Sequence, residues 1–498
     1  MSATENTFQN SSEFKFKKCI ITKGDGSDPR SLLNADMVLG FSVLENLFHP
    51  HLQASLALSD SGGLINSYPI EGGENIELEI GTSFQDEPIR YKFKVFKIAN
   101  RVKKNKMQSY TLFMCSEESF VNEVIRLQKQ LSGKPDEIVA GLLRNELKSS
   151  KEFFVEPTKF SVKLLPGKRR PYDVIADMTK RSISEKAVYT NKKTSSKKTY
   201  EKNRENRPNA NVEKDIKGTA GYFFWETRRG FNFYSVDALC SVPKVNKEGQ
   251  YIEGSEEFPA PDLLSIPWGP YRDIIANTDD GQDQRGLISS LKMSSEVDII
   301  NGLRQGKYAS TNIFFNISTG QYEEYVYRIS SSYDHMAHLG GQDSISFIPT
   351  NQEELSQTPS RVLSAILDHE AWFNDPDIAD PDSEATDNPN EFADWQKYYI
   401  SQSVARYDLL NNQQAEFQIP GNPLICAGDK VSILITNPLA DKEKIEEPFD
   451  EETSGVYLVR EVSHLYSLGE GGNGNITTTL RLFRDSYGMG ELASTHGE

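Results

Sequence analysis

A chain of 498 residues with a formal net charge of -17 is too long for one ordinary hydrophobic core and too acidic to grip nucleic acid through its phosphates. Its 37% hydrophobic and 10% aromatic residues also exclude a mostly disordered protein. The sequence contains no signal-peptide pattern and no apolar run of about eighteen residues, so we expect neither export nor a membrane span. The four cysteines form no Cys-x-x-Cys pair, which favours buried thiols in a reducing compartment.

The first part of the chain predicts β-structure. Residues 1–12 form a polar arm, and residues 13–116 alternate apolar with charged residues between turn signals. In IELEIG, which begins at Ile76, Glu77 and Glu79 fall on the face opposite the apolar side chains. Repeated hairpins of this length predict a small β-barrel, because closure of a sheet removes its exposed edges.

Residues 117–260 predict a mixed α/β middle domain. Helical spacing of apolar residues predicts helices over PDEIVAGLLRNEL, over PYDVIADMTKRSI and over SFVNEVIRLQKQL, the last carrying Phe120, Val124, Leu127 and Leu131. A basic low-complexity loop occupies residues 190–208. The stretch GYFFWETRRGFNFYSVDALC then predicts a hairpin that turns at Thr-Arg-Arg-Gly. Its aromatic rings pack in a core or anchor a subunit interface, and the interface candidates are Trp225, Phe231 and Phe233.

The second half returns to β-structure around an insertion. Residues 261–350 are β-rich and include a hairpin over KYASTNIFFNISTGQYEEYVYRI. Residues 351–412 predict a helical and acidic insertion, with a helix over PSRVLSAILDHEAWF and an acidic loop at 375–394. Residues 413–486 predict a second β-barrel, and residues 487–498 form a tail.

One short turn-and-strand pattern occurs twice in the chain. GENIELEI begins at Gly73 and GDKVSILI begins at Gly428; each is a glycine and an acid before a strand, and each is followed by a hairpin. Such turns are common singly, but the matching hairpin behind each copy favours an internal duplication. The predicted fold is therefore α+β, β-dominated and multidomain, with two similar small β-barrels and a mixed helix and hairpin middle domain.

No group of residues in the sequence points to catalysis. The nucleophile-elbow, zinc-protease and phosphate-loop motifs do not occur, and 72 acidic residues make carboxylate pairs uninformative. His335 and His338 have the spacing of two metal ligands, but ordinary loop histidines are the favoured interpretation. The acidic loop is best interpreted as solvated, with weak cation binding as the alternative. We assign no catalytic residue, no metal site and no cofactor.

The order of these segments resembles the central baseplate hub (tail hub) family of contractile-tailed bacteriophages. The likeness is carried by SVLENLFHPHLQASLALSDSGGLINSYPIEGGENIELEI, by PYDVIADMTKRSI with GYFFWETRRGFNFYSVDAL, and by IPGNPLICAGDKVSILI with SGVYLVREVSHLY. It is a likeness of pattern and order that covers most of the chain between Phe14 and Arg484.

The resemblance implies a structural protein of the virion tail baseplate, assembled in the host cytoplasm. Three copies would present six similar barrels and so adapt a six-fold tail tube to a three-fold spike, around a channel for DNA. The implied partners are other copies of the chain, the tail tube protein, the central spike protein and the baseplate wedge proteins. Genomic DNA would pass without specific binding. The implied tube-facing residues are Gly73, Glu74, Ile76, Gly428, Asp429 and Val431.

Two other functions stay open at this stage. The first is the hub of a bacterial contractile injection system, for which we would expect a continuation into long β-prism repeats that this sequence does not contain. The second is a virion-associated protein that binds or degrades glycan. No motif in the sequence supports the second function, and a binding or turnover assay would distinguish it.

Overall fold

The structure is a computed structural model, and it describes residues 12–490 with internal gaps. The gaps are 34–36, 105–106, 160, 188–217, 259–265, 274–285, 296–297, 316–321, 330–332, 334–335, 341–357, 367–401, 437–448 and 469–473. The predicted basic loop, the acidic loop, His335 and nearly all of the N-terminal arm lie outside the described residues.

Strands and one short helix form the N-terminal part of the fold. They are β1 (Glu13–Thr22), β2 (Arg30–Ser31), β3 (Val38–Asn46), β4 (Gln53–Asp60), α1 (Leu64–Ser67), β5 (Asn75–Thr82), β6 (Gln85–Lys104) and β7 (Met107–Cys115). Helices and short strands follow, namely α2 (Glu117–Val124), β8 (Leu131–Gly133), α3 (Pro135–Gly141, continued by a π-helical turn over Leu142–Glu146), β9 (Phe153–Val155), β10 (Val162–Leu164), α4 (Pro171–Arg181), β11 (Tyr222–Thr227), β12 (Gly230–Ser235) and α5 (Val236–Cys240).

The second half is again rich in strands. Its elements are β13 (Trp268–Arg272), β14 (Ser290–Ser295), α6 (Ile299–Gln305), β15 (Ala309–Phe315), β16 (Tyr322–Arg328), β17 (Arg361–Ile366), α7 (402–409), β18 (Gln413–Pro420), β19 (Lys430–Leu434), β20 (Gly455–Leu468) and β21 (Gly474–Arg484). The β-dominated α+β fold class is therefore confirmed. No helix in the described ranges is long and apolar enough to cross a membrane.

One predicted helix forms only in its first half, and another was wrong. The helix over SFVNEVIRLQKQL ends at Val124, and Leu131 begins strand β8. Between them the amide of Leu127 bonds to the carbonyl of Arg169, so a distant segment supplies the hydrogen bond that a helix would have supplied. In PSRVLSAILDHEAWF, residues 361–366 form β17, a strand parallel to β15. Tertiary pairing overrides helical propensity at both places.

Six strands of each half are arranged in the same order. The first set runs β1-β5-β6-β7-β4-β3 across the sheet, and the second runs β13-β19-β20-β21-β18-β14. If the strands of each set are numbered along the chain, both orders become 1-4-5-6-3-2. The sets differ at one pairing, since β1 is antiparallel to β5 whereas β13 is parallel to β19. We call these sets barrel one and barrel two.

The hairpin of β20 and β21 belongs to both barrels. The start of β20 pairs with β19 and residues 477–484 of β21 pair with β18, but residues Glu461–Ser467 of β20 pair with β3. The start of β21 pairs with the start of β1, and β20 pairs with β21 throughout. The hairpin therefore closes barrel one, and its residues Tyr466 and Ile476 are buried in the core of that barrel. Barrel two closes where the amide of Ile288 bonds to the carbonyl of Arg272.

The middle domain packs helices against a small aromatic sheet. Helices α3 and α4 contribute Val139, Ile175 and Met178 to a core that also contains rings from β11 and β12. The predicted helix at Pro171 and the hairpin turning at Thr-Arg-Arg-Gly both form. A separate three-stranded sheet consists of β16, β15 and β17. The four cysteines, Cys19, Cys115, Cys240 and Cys426, are buried free thiols.

A fully buried histidine lies on the shared hairpin. His464 donates through Nε2 to the carbonyl of Ile425 and accepts at Nδ1 from the hydroxyl of Thr478, each at 3.0 Å. The amide of Asn422 donates in turn to the Thr478 hydroxyl, at 3.0 Å. The neutral imidazole makes both of its hydrogen bonds in this arrangement. Burial lowers the pKa of His464 from its ordinary value of 6.5 to about 4.

We predict that the contribution of His464 to the free energy of unfolding is lost in mild acid. Because its folded pKa is lowered, its stabilising contribution is complete above pH 6.5 and is lost as the pH falls towards 4. Relative to a His464→Gln variant, the native protein should lose on the order of 3 kcal/mol across that window. Denaturant titrations at a series of pH values measure the difference, and the exposed His49→Gln serves as the control. A difference that does not change with pH would contradict the prediction.

Candidate assembly site at the repeated turns and the barrel junction

The first copy of the repeated turn is held by its own carboxylate. Gly73 has a left-handed backbone, with φ 88, and its amide bonds to the carbonyl of Val95 at 2.7 Å. The amide of Val95 returns a bond to the carbonyl of Glu74 at 2.9 Å. The Glu74 carboxylate folds back and accepts from the amides of Glu71 and Gly72, at 2.8 and 2.9 Å. The turn thereby starts β5 at a fixed register against β6.

The second copy repeats this bonding almost atom for atom. Gly428 has φ 90, and its amide bonds to the carbonyl of Val459 at 2.9 Å. The amide of Val459 bonds to the carbonyl of Asp429 at 2.8 Å. The Asp429 carboxylate accepts from the amide of Cys426, three residues back, at 3.0 Å. The acid of the first copy likewise bonds the amide three residues before it.

The likeness continues into the hairpin behind each turn. Immediately after Val95 the pairing of β6 with β7 shifts by one residue, which bulges Phe96. Immediately after Val459 the pairing of β20 with β21 shifts in the same way, which bulges Arg460. The two barrels thus share strand order, turn and bulge, although only the turn and the hairpin were visible in the sequence.

The repeated turns present few side chains to the outside. Glu74, Ile76, Asp429 and Val431 are at most 2% exposed, and Gly428 is buried. Gly73 is half-buried, and every residue of β19 is buried within the chain. These six residues therefore shape the barrels, and the four buried side chains do not form a contact surface of their own.

The turn of the β11–β12 hairpin fills the space beside the second copy. The Arg229 guanidinium forms a bidentate ion pair with Asp429, with nitrogen to oxygen distances of 2.7 and 2.9 Å. The Trp268 indole also donates to Asp429, at 2.9 Å. Arg229 donates further to the carbonyl of Leu424, at 2.9 Å. Bidentate pairing of this kind fixes both position and orientation.

The aromatic rings proposed for a subunit interface lie in the core instead. Trp225, Phe231 and Phe233 are all 0% exposed within the single chain, so no ring surface is left for a second copy. The Trp225 indole donates to the carbonyl of Ala427 at 2.8 Å. Its ring lies so close to Gly428 that a Cβ there would approach Cζ2 to 2.5 Å, which explains why the turn needs glycine at this position.

The same hairpin turn also contacts barrel one. The carboxylate of Glu45, on β3, accepts from the amide of Arg228 at 2.8 Å and from the amide of Ala427 at 3.0 Å. Burial raises the pKa of Glu45 to about 7, against the lowering effect of these two amide bonds. One carboxylate therefore joins barrel one, the hairpin turn and barrel two. We call this the junction.

A second buried carboxylate, on β11, links the β11–β12 hairpin to residues next to the ends of β4 and β7 in barrel one. Glu226 accepts from the amide of Leu52 at 3.0 Å and from the hydroxyl of Ser116 at 2.5 Å. Lys151 completes the site with its ammonium 2.5 Å from Glu226. The signal for the junction in the sequence was weak: two adjacent arginines, Arg228 and Arg229, stand at a turn whose strands are otherwise aromatic.

The histidine considered as a metal ligand has other partners. His338 bonds through Nδ1 to Asp485 at 2.9 Å and through Nε2 to the carbonyl of Tyr333 at 2.9 Å. Arg406 pairs with the same carboxylate at 2.7 Å. Burial alone would raise the pKa of Asp485, but His338 and Arg406 hold it well below its usual range. Among the described residues no group of three or more potential ligands could hold a metal ion.

Comparison with known proteins gives structural likenesses only. No family model and no curated protein matches the chain. A tail protein from Neisseria meningitidis MC58 has 10% identity and a TM-score of 0.45, over 95% of this chain and 97% of its own. The 43 kDa tail protein of prophage MuSo2 from Shewanella oneidensis has 9% identity and a TM-score of 0.42, over 94% and 98%.

A third similar structure comes from a different machine. The E. coli c3393 protein, a component of the type VI secretion system, has 9% identity and a TM-score of 0.35, over 96% of this chain and 78% of its own. The similar structures thus include tail proteins, the kind of protein that the sequence resemblance names.

We predict that the two acids of the repeated turn differ in what they contribute to stability. Asp429→Asn removes the buried carboxylate partner of the half-buried Arg229 and should lower the free energy of unfolding by about 3–5 kcal/mol. Glu74→Gln is the matched change in barrel one, where the nearest cation is Lys23 at 3.9 Å. It should cost about 1–3 kcal/mol through a weakened bond to the turn amides. Chemical denaturation measures both, and equal losses would contradict the prediction.

Proposed function

We propose that the chain is a structural hub of a contractile phage tail baseplate that works as a homotrimer. Three copies, each with two equivalent barrels, make a ring of six similar units that has only three-fold symmetry. Such a ring meets a six-fold tail tube on one side and a three-fold spike on the other. Its role is geometric, and no catalytic residue is assigned.

The observation that carries the proposal is the internal duplication. The two barrels share strand order, the left-handed glycine with a following buried acid, and a bulge immediately behind the turn. A monomeric enzyme or a simple binding module has no need for two copies of one framework. A symmetry adaptor needs two, because the units that face the tube must be interchangeable.

The junction supports the same proposal from its energetics. The β20–β21 hairpin and the turn containing Arg228 and Arg229 hold the two barrels through backbone pairing and buried hydrogen bonds. A joint of this kind keeps the angle between the barrels fixed. A ring assembled from such pairs would keep its symmetry under load when the tail contracts.

The partners of the hub belong to the same proposal. They are other copies of the chain, the tail tube protein, the central spike protein and baseplate wedge proteins, in the virion tail baseplate after assembly in the host cytoplasm. The tube contacts are proposed for the two repeated turns and the strands that follow them. Because the acids themselves are buried, we assign the contact in barrel one to the outward residues Asn75, Glu77 and Glu79. The net charge of -17 would discourage sticking of DNA in a central channel.

The hub of a bacterial contractile injection system is the closest alternative, since the same duplicated framework would serve it equally well. Reconstitution with a phage tail tube protein and with an injection-system tube protein separates the two. A glycan-degrading protein is a more distant alternative. Turnover of purified peptidoglycan that a single carboxylate substitution abolishes would favour that function over the hub.

We predict that the purified protein forms a closed trimer. Analytical ultracentrifugation should give a mass of three chains, and electron microscopy should show a ring with six lobes of density in three pairs around an opening. A compact monomer at all concentrations would contradict the proposal. An Asp429→Asn protein that stays folded serves as a control for the junction, and its ring should keep its mass but lose the sharpness of its six-lobed averages.

A further inference from the structure

Strand β6 carries an unpaired edge beyond the bulge of Phe96. Its first part pairs with β5 on one side, but within the described part of the chain residues 97–104 pair only with β7. Phe96 is 51% exposed and Val102 is 61% exposed. A free strand edge with exposed apolar side chains is a template for pairing with another strand.

Strand β14 carries the second unpaired edge. It pairs with β18 on one side and ends the path of strands through the large sheet. On its other side Leu287 and Ile288, just before the strand, meet the end of β13, but residues 290–295 themselves pair with no other described strand. Its residues Leu291 and Met293 pack against the core of barrel two. The strand is therefore held firmly in place, while among the described residues no strand bonds to the outer backbone groups of residues 290–295.

Each of these two edges has an equivalent edge in the other barrel. Those two equivalent edges already pair with each other within the chain. By the common strand order, β6 corresponds to β20 and β14 corresponds to β3. Strand β20 pairs antiparallel with β3 from Glu461 opposite Asn46 to Ser467 opposite Gly40. One chain thus contains a finished example of the joint between barrel two and barrel one.

We propose that the edge of β6 in one copy pairs antiparallel with the edge of β14 in the next copy, repeating the β20–β3 joint between chains. The inference rests on the proposed function, because a ring of three copies supplies the partner. Joints within and between chains then alternate around the ring. The contact is head-to-tail, so three copies can close it and leave neither edge free.

The duplication also fixes the register of the new joint. Within the chain Leu465 lies opposite Ser42. Leu465 pairs with Thr477 on β21, and the corresponding pair is Val102 with Ser109 when residues are counted along β21 and β7 from the one opposite the bulge valine. Strand β6 has a second bulge between Ala99 and Val102 that β20 lacks, so it reaches this pair with one more residue than β20 does. Val102 therefore takes the place of Leu465, and both are exposed in the single chain, at 61% and 47%.

The residue facing Val102 follows from the other strand. Ser42 pairs with Ser55 on β4, one residue after Ala54. On β18 the residue after Ala415 pairs with Lys292 of β14, and Ala415 matches Ala54 because both pair with the residue opposite the bulge valine. Val102 of one copy thus lies opposite Lys292 of the next. Directly opposed residues of antiparallel strands have Cβ atoms about 4.5–5.5 Å apart, within reach of a strained or slightly adjusted disulfide.

The experiment introduces cysteines at these two positions in the full chain. The Val102→Cys/Lys292→Cys protein is oxidised mildly and run on a denaturing gel without reductant, where covalent dimers and trimers but no larger species are expected. The native cysteines are buried and free, so they give little background. Each single variant is a control. The Val102→Cys/Ser290→Cys pair tests the register, because its cysteines are diagonal neighbours about 7–8 Å apart, too far for a disulfide.

The mass of the reduced protein, measured separately, distinguishes the two ideas. Trimers that cross-link through Val102→Cys/Lys292→Cys and not through the register control support the joint. Trimers that cross-link in neither pair, or equally in both, overturn the joint and leave the proposed hub standing. A reduced protein that stays monomeric and does not cross-link overturns both. A ladder that extends beyond three chains also overturns the closed joint.

Discussion

The pairing of one hairpin with two barrels is the constraint on which the rest of the architecture depends. Strand β20 leaves barrel two halfway along its length and continues as a strand of barrel one. Because side chains alternate along a strand, the two barrels must share both register and facing at this point. Their relative orientation is therefore determined by backbone hydrogen bonds, and the buried residues Tyr466 and Ile476 leave no room for a slip of one residue.

The duplication is close in geometry but not in surroundings. Both turns use a left-handed glycine and a carboxylate that bonds the amide three residues back. In barrel one the acid has a single lysine, Lys23, 3.9 Å away, whereas in barrel two it has a bidentate arginine and an indole. The second copy has been incorporated into the junction, and its acid stabilises the contact between domains as well as its own turn.

Local pattern predicted much of this fold. Alternation and turn residues predicted most strands of barrel one and strands β18 to β21 of barrel two, and Pro171 with its apolar spacing predicted α4. Strands β13 and β14 of barrel two lie outside the bounds 413–486 that the sequence predicted for the second barrel. The failures were segments whose partners lie far along the chain. Residues 361–366 form a strand because β15 offers them an edge, and the segment after Val124 bonds to a distant backbone. Spacing within a single segment contains no record of either partner.

The site was predicted only in outline for the same reason. The repeated glycine and acid could be found because both copies are local and contiguous. The roles of Glu45, Arg228 and Arg229 could not, because each depends on contacts nearly two hundred or more residues away, as the separations of 183 and 200 residues in their bonds illustrate. For the aromatic rings both a core and a subunit interface stayed open, because composition alone does not distinguish a large interface from a large core.

Two buried titrating groups near the junction respond to acid in opposite directions. Glu45, with its raised pKa, stabilises the fold most below about pH 4.5 and least above about pH 7. His464, with its lowered pKa, does the reverse between pH 6.5 and about 4. As the pH falls, the stability gained at Glu45 opposes the stability lost at His464. The pair therefore makes the fold less sensitive to acidity than either residue would alone.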